Sequence, residues 1–132
     1  MDYKNLIKLA KEAQKKAYAP YSNFLVGAAV MTKSGKTYTG CNIECASYGA
    51  TNCAERTAIF NAVSQGDRDI KAIAVVGDID NYTFPCGICR QVIIEYGNDI
   101  EIIVAKTEDD YKIFTIKKLL PYSFSPKDLE EK

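Results

Sequence analysis

Three cysteines in two short clusters constrain this chain more than any other feature of its sequence. Cys53 stands in one cluster, and Cys86 and Cys89 follow Pro85 in the other. The chain has 132 residues and no histidine, so a zinc site in it depends on thiolates. Three protein ligands are one fewer than a structural zinc site uses, whereas a catalytic site leaves the fourth position to water. The sequence therefore predicts a fold that joins the two clusters around a catalytic zinc ion.

The spacing within each cluster supports this prediction. If Pro85 opens a helix, Cys86 and Cys89 share one face of it, with Cβ atoms ~5–6 Å apart. Cys53 and Glu55 are two positions apart, so on a helix their side chains point in different directions. Glu55 is therefore predicted to carry protons for the water in the fourth position rather than to bind the metal. A helix N-terminus also favours the thiolate form of a cysteine.

Arg56 directly follows the predicted proton carrier. Three thiolates on a divalent ion leave a net negative charge, which opposes acidification of the bound water. A guanidinium group that hydrogen-bonds a ligand sulfur withdraws some of this charge. We predict this role for Arg56, and the alternative is a solvated surface arginine.

Composition limits the partners of the chain. Seventeen basic and seventeen acidic residues balance, which disfavours a nucleic-acid partner and favours a small neutral substrate. No apolar run is long enough to span a bilayer, and residues 1–10 do not read as a signal peptide. Five cysteines, three of them assigned to a metal, indicate a reducing, cytoplasmic environment rather than a disulfide framework.

Hydrophobic periodicity predicts an α/β chain. The first helix covers residues 3–17, on apolar residues at helical spacing. The later predicted elements are strands at 24–32 and 37–42, a helix at 53–65, a strand at 70–76, a helix at 86–96, and strands at 101–105 and 112–116. Alternating strands and helices imply parallel crossovers with helices covering the sheet. Both cysteine clusters then follow the carboxyl ends of strands, the edge where α/β sheets bind ligands.

Five segments of the sequence resemble the cytidine deaminase family, specifically its small homotetrameric nucleoside type. They are CAERTAIF (53–60), PCGICRQVI (85–93), AYAPYSNFLVGAAV (17–30), TGCNIECASYG (39–49) and LLPYSF (119–124). The resemblance implies a three-layer sandwich with a central mixed five-stranded sheet, formed by one domain over residues 1–132. It also implies zinc-dependent hydrolysis of cytidine and 2′-deoxycytidine to uridine and 2′-deoxyuridine with release of ammonia, a step of pyrimidine salvage.

The resemblance also implies which residues bind the nucleoside. Asn42 and Glu44 match positions that hydrogen-bond ribose hydroxyls, although in an unrelated chain they would read as a turn asparagine and a solvated glutamate. Phe24 matches a residue that contacts the pyrimidine ring, although its pattern alone indicates core. The backbone around Ala54 and Cys86 matches positions that contact the base.

Further matched positions imply a site shared between subunits of a homotetramer. Ala46, Tyr48 and Phe124 correspond to residues that approach the substrate of a neighbouring subunit, and Phe124 packs there on the base. Without the resemblance, the sequence pattern around Phe124 would indicate only a residue that packs in an interface.

Two positions depart from the family pattern. Cys45 stands where asparagine is frequent, beside the ribose pair, and is expected to alter affinity. Ile88 stands where alanine is common and is expected to alter packing behind the metal. Cys41 and Cys45 are interpreted as small buried hydrophobic residues rather than ligands.

Two alternatives remain open from the sequence. A related amino-heterocycle deaminase, such as a blasticidin-type nucleoside antibiotic deaminase, would share the three cysteines and Glu55 but would not require the ribose pair or the aromatic tail. A zinc-stabilised interaction module without catalysis would close its metal shell with Cys41 or Cys45 and would leave Glu55 without a role.

Overall fold

The computed structural model describes residues 2–130, which form a mixed five-stranded sheet between layers of helices. In chain order the elements are α1 (Tyr3–Gln14), β1 (Gly27–Thr32), β2 (Thr37–Cys41), a short 3-10 turn (Tyr48–Ala50), α2 (Ala54–Ser64), β3 (Ile70–Val76), α3 (Gly87–Ile94), β4 (Glu101–Thr107), β5 (Asp110–Thr115), α4 (Ile116–Leu119) and α5 (Pro126–Glu130). Among the described residues, no helix is both long and apolar enough to cross a membrane.

The strands lie in the order β2-β1-β3-β4-β5. β1 pairs antiparallel with both β2 and β3, β3 pairs parallel with β4, and β5 closes the sheet antiparallel to β4. It follows that β2, β3 and β4 all run in one direction, with β1 inserted between the first two. The crossovers through α2 and α3 therefore join strands of the same direction, as the sequence predicts, and their carboxyl ends share one edge.

Alternation along the strands separates two cores. Ala29, Ala72 and Ala74 face α1, together with Leu6 and Ile7 of that helix. The opposite face carries larger side chains, which pack against α2 and α3; they include Val30, Ile73, Val75, Ile102 and Val104. Small residues on the first face let α1 lie close to the sheet. The three-layer sandwich expected from the sequence is thus confirmed.

The first predicted helix and the first predicted strand are both longer than the observed elements. The first helix ends at Gln14 rather than residue 17, since its last turns continue only as a short bend in which Ala17 N–H donates to the Gln14 carbonyl oxygen at 3.1 Å. The first strand begins at Gly27 rather than residue 24. There the Asn42 side chain replaces a strand partner: it accepts from Val26 N–H at 2.9 Å and donates to the Phe24 carbonyl oxygen at 2.8 Å.

The remaining differences are smaller. Cys53 and Cys86 are the N-cap residues of α2 and α3, so both helices begin one residue later than predicted, and both also end earlier. β2 ends at Cys41, and β4 extends to Thr107. The last strand covers Asp110–Thr115 rather than 112–116, because the Thr115 side chain accepts from Lys118 N–H and begins α4.

Candidate active site

The two cysteine clusters meet at the shared edge of the sheet. The sulfur atoms of Cys53, Cys86 and Cys89 all lie within 4.8 Å of one another. Cys53 sits at the start of α2, and Cys86 at the start of α3, with Cys89 one turn further along that helix. Because β2 and β3 run parallel and their following helices start at the same edge, residues 33 positions apart become neighbours.

The spacing of these sulfurs fits zinc. A tetrahedral ion with zinc–sulfur bonds of about 2.3 Å holds its sulfurs about 3.8 Å apart. The Sγ atoms of Cys53 and Cys86 are 3.8 Å apart. Cys41 and Cys45 remain outside this cluster, and Glu55 does not join it as a ligand. These three cysteines therefore form a cluster that can hold zinc, the cofactor that the sequence predicts.

Positive charge and hydrogen bonds favour a thiolate at Cys53. A hydrogen bond from Cys89, together with the Arg56 guanidinium, lowers the pKa of Cys53 to about 5. Arg56 Nη2 lies 3.3 Å from the Cys53 sulfur. The Nε atom of Arg56 is buried and has no hydrogen-bond partner within the described part of the chain. Arg56 thus contacts a ligand sulfur, whereas Arg90 instead donates to the carbonyl oxygens of Pro85 and Leu119.

Glu55 lies beside the cysteines in the first turn of α2 and is only 4% exposed. Burial raises the pKa of its carboxyl to about 7, and the charge of Cys53 adds to the effect. A carboxyl group with a pKa near neutrality both accepts and releases protons under physiological conditions, which suits a general acid–base.

A cavity of about 280 Å³ opens over this centre. Seven residues predicted from the sequence line it, namely Phe24, Asn42, Glu44, Cys53, Ala54, Glu55 and Cys86. Phe24 is 44% exposed, so it lies on the cavity wall rather than in the core. The volume suits a ligand of nucleoside size more than a polymer.

Three other predicted residues lie outside this cavity in the same chain. Tyr48 lines an adjacent cavity of about 340 Å³, which shares Ser22, Glu44 and Thr51 with the first. Phe124 is 59% exposed on the C-terminal segment, where its carbonyl oxygen accepts from Gln91 at 2.7 Å. Ala46 lies on the loop between Glu44 and the 3-10 turn and lines neither cavity.

The expected role of Ile88 is wrong. Ile88 lies on the outer side of the first turn of α3 and is 63% exposed. It therefore does not pack behind the metal cluster. Cys41 and Cys45 are half-buried rather than fully buried. The Cys45 sulfur lies 3.8 Å from the Ala50 carbonyl oxygen of its own loop and is not part of the cysteine cluster.

The sequence interpretation missed several lining residues. They are Ser22, Val26, Thr51, Asn52, Thr83 and Phe84. Thr83 and Phe84 directly precede Pro85 in the loop that follows β3. Their position at the carboxyl edge of the sheet could therefore have been predicted from the sequence. Ser22 carries no such signal, because its placement depends on a contact with Glu44, 22 positions away.

Comparisons with known proteins show the family of the chain. The family profile of the cytidine and deoxycytidylate deaminase zinc-binding region matches residues 1–106. A cytidine deaminase of Sporosarcina psychrophila is 49% identical over 130 residues, which cover 98% of this chain and 96% of that protein. The crystal structure of cytidine deaminase from Burkholderia pseudomallei has a TM-score of 0.89 at 50% identity and covers 94% of this chain and 100% of that one. This chain therefore belongs to the cytidine and deoxycytidylate deaminase family.

Proposed function

We propose that the protein hydrolyses cytidine and 2′-deoxycytidine to uridine and 2′-deoxyuridine, with release of ammonia. The observation that carries the proposal is the cluster of three cysteine sulfurs next to a cavity of nucleoside size, which Cys53, Cys86 and the buried Glu55 line. Water supplies the oxygen atom that replaces the exocyclic amino group, so substrate and water together balance product and ammonia.

Cys53, Cys86 and Cys89 hold the zinc ion in this proposal. When bound, zinc acts as a Lewis acid that makes water a stronger nucleophile at neutral pH. Arg56 moderates the negative charge of the three thiolates through its contact with the Cys53 sulfur. Because Cys53 and Cys86 line the cavity, an ion held by the three sulfurs would lie next to a substrate bound there.

Glu55 moves the protons. It accepts a proton from the attacking water and delivers it to the ring nitrogen beside the amino-bearing carbon, which makes that carbon more electrophilic. It then takes the second proton of that water, from the hydroxyl group now on the carbon, and gives it to the amino group; the C–O bond becomes a carbonyl as the C–N bond breaks and ammonia leaves. Its raised pKa allows both directions of transfer, and its burial keeps bulk water away from the exchange.

Phe24, Asn42 and Glu44 position the nucleoside. Phe24 offers an aromatic face for the pyrimidine ring, and stacking of this kind is worth ~1–3 kcal/mol per base in nucleic-acid binders. Glu44 and Asn42 supply acceptors and a donor for the ribose hydroxyls. The backbone at Ala54 and Cys86 lines the same cavity and contacts the base.

The same proposal includes a homotetramer with shared sites. Ala46, Tyr48 and Phe124 lie outside their own chain's cavity, which is the arrangement expected of residues that complete a neighbour's site. The whole chain, residues 1–132, is proposed to form one domain. Five free cysteines, three of them committed to a metal, suit the cytoplasm.

An absorbance assay tests this function. Purified zinc-loaded protein is mixed separately with cytidine, 2′-deoxycytidine, cytosine, CMP and blasticidin S, and loss of substrate absorbance is followed. We expect turnover of the two nucleosides. Turnover of blasticidin S alone would identify an antibiotic deaminase instead, and a zinc-loaded protein that turns over none of them would be an interaction module.

A further inference from the structure

The turn before β1 binds the carboxylate of Glu44. Oε1 of Glu44 accepts from Tyr21 N–H at 3.0 Å and from Ser22 N–H at 3.1 Å. Oε2 accepts the hydroxyl proton of Ser22. Successive backbone N–H groups in such a turn form a concave site for an anion, and here the anion is a side chain of the same protein.

These contacts leave little of Glu44 for a ligand. A carboxylate has about four acceptor positions, two on each oxygen. Two backbone N–H groups fill Oε1, and the Ser22 hydroxyl uses one position of Oε2. One acceptor position on Oε2 therefore remains, beside the Ser22 hydroxyl, and both residues line the cavity. The orientation of that remaining position depends on the bond from Ser22.

The same hydroxyl also reaches the aromatic wall of the cavity. Ser22 Oγ accepts from Phe24 N–H at 3.1 Å, so it donates to one substrate-facing residue and accepts from another. Between them, Asn23 has a φ of 58°, in the left-handed region that few residues other than glycine and asparagine adopt. Asn23 N–H donates to the Ala19 carbonyl oxygen at 2.9 Å. This bond closes the turn that contains Ser22.

We propose that Ser22 is a positioning residue that fixes Glu44 and Phe24 relative to each other, so that ribose and base are held in one geometry. The proposal rests on the proposed function, in which Glu44 meets the ribose and Phe24 meets the base. Ser22 itself acts through these two residues. Loss of its hydroxyl frees Glu44 Oε2 to rotate and removes the acceptor of Phe24 N–H, while the two backbone bonds to Oε1 remain.

The test compares Ser22→Ala and Ser22→Thr with the parent enzyme. Steady-state kinetics are measured with cytidine and with 2′,3′-dideoxycytidine, which lacks the two vicinal hydroxyls. A hydrogen bond to a charged group supports roughly a tenfold effect. We therefore expect Ser22→Ala to raise KM for cytidine about tenfold. We expect a smaller rise for the dideoxy analogue, through Phe24 alone, with kcat much less affected. Ser22→Thr keeps the hydroxyl and should restore KM for cytidine.

Ser34→Ala is the matched control, because Ser34 also donates a hydroxyl proton to a carboxylate, that of Asp67 at 3.1 Å, on the β1–β2 turn away from the cavity. It should leave both KM values unchanged. Equal KM increases for the two nucleosides in Ser22→Ala, no increase at all, or failure of Ser22→Thr to restore KM would overturn the proposal.

A binding experiment separates this proposal from the proposed function. Calorimetric titration with uridine and with 2′,3′-dideoxyuridine measures affinity for the product without turnover. A parent protein that binds uridine but does not deaminate cytidine would refute the reaction alone. In such a protein, Ser22→Ala should still weaken uridine binding more than dideoxyuridine binding, and equal affinities in the variant and the parent would refute the role of Ser22.

Discussion

Glu44 and Glu55 line the same cavity, but their surroundings shift their acidities in opposite directions. The Ser22 hydroxyl and two backbone N–H groups stabilise the Glu44 carboxylate and lower its pKa. Glu55 is buried, and burial raises its pKa to about 7. Two carboxyl groups in one site can then take different roles, one as a fixed anion for hydroxyl donors and one as a proton carrier.

Replacement of Glu55 by glutamine tests the second role. Gln keeps the size and polarity of the side chain but transfers no protons, so we expect kcat to fall by at least 10²–10⁴-fold, the typical contribution of general acid–base catalysis. Zinc content, measured by atomic absorption, should stay at one ion per chain. Glu12→Gln changes an exposed glutamate of α1 that pairs with Lys15, and it should leave kcat unaltered.

A zinc-loaded Glu55→Gln protein with normal kcat would exclude Glu55 as the proton carrier. Loss of zinc from that variant would instead assign Glu55 a part in holding the metal. Both outcomes are separable because metal content and turnover are measured on the same preparation.

The cluster of three cysteines with Glu55 beside it could be predicted from the sequence, because the residue types and their spacing are distinctive. Ser22 could not be predicted in this way, since a serine in a turn has no distinctive pattern and gains its role only from Glu44. Phe84 was missed for a related reason. From the sequence, Phe84 is only an aromatic residue in a loop. In the structure it lines the cavity, and its ring centroid lies 5.4 Å from that of Phe114 in β5.

At the level of elements, a close contact between β2 and α2 positions the metal site. A Cβ atom on Gly40 would lie 2.4 Å from Ala58 N and 2.8 Å from the Ala54 carbonyl oxygen. Only a residue without a side chain permits this approach of helix to strand. Since Cys53 caps α2 and Glu55 lies in its first turn, the position of the helix sets the position of both residues relative to α3.

Gly40→Ala should therefore move α2 away from the sheet. Overpacking of this kind typically costs about 1–3 kcal/mol, so we expect the free energy of unfolding to fall by that amount. Zinc content should fall as well, because Cys53 shifts while Cys86 and Cys89 stay on α3. Chemical denaturation and metal analysis measure the two effects. Gly49→Ala is the control: a Cβ there meets no atom within 4 Å, and zinc should be retained.

A Gly40→Ala protein with full zinc and undiminished stability would show that the helix position does not control the site.

The sequence indicated the elements themselves through hydrophobic periodicity, and the strand at Ile70–Val76 was predicted to the residue. It did not indicate that β1 inserts between β2 and β3, because strand order depends on contacts between distant segments. It also did not reveal that β1 would begin only at Gly27, because the Asn42 side chain bonds to the backbone of Phe24 and Val26 before it.

Across the whole molecule, large apolar side chains remain exposed around the cavity and on nearby surfaces. Phe24, Tyr48, Ile88 and Phe124 are all 44% exposed or more in the described chain. We propose that some of these side chains contact further copies of the chain, since exposed apolar surface marks association sites where it forms a contiguous patch.

The proposed shared site leads to a final prediction, on assembly. Light scattering should give a mass near four times 14.6 kDa. Phe124→Ala should raise KM for cytidine about tenfold or more, in line with the ~1–3 kcal/mol of one stacking contact, while zinc stays at one ion per chain. Leu129→Ala is matched in exposure, at 59% for each residue, and should leave KM near that of the parent. A fully active monomer, or a Phe124→Ala tetramer with unchanged KM, would refute the shared site, because each chain would then bind the base without a neighbour's aromatic ring.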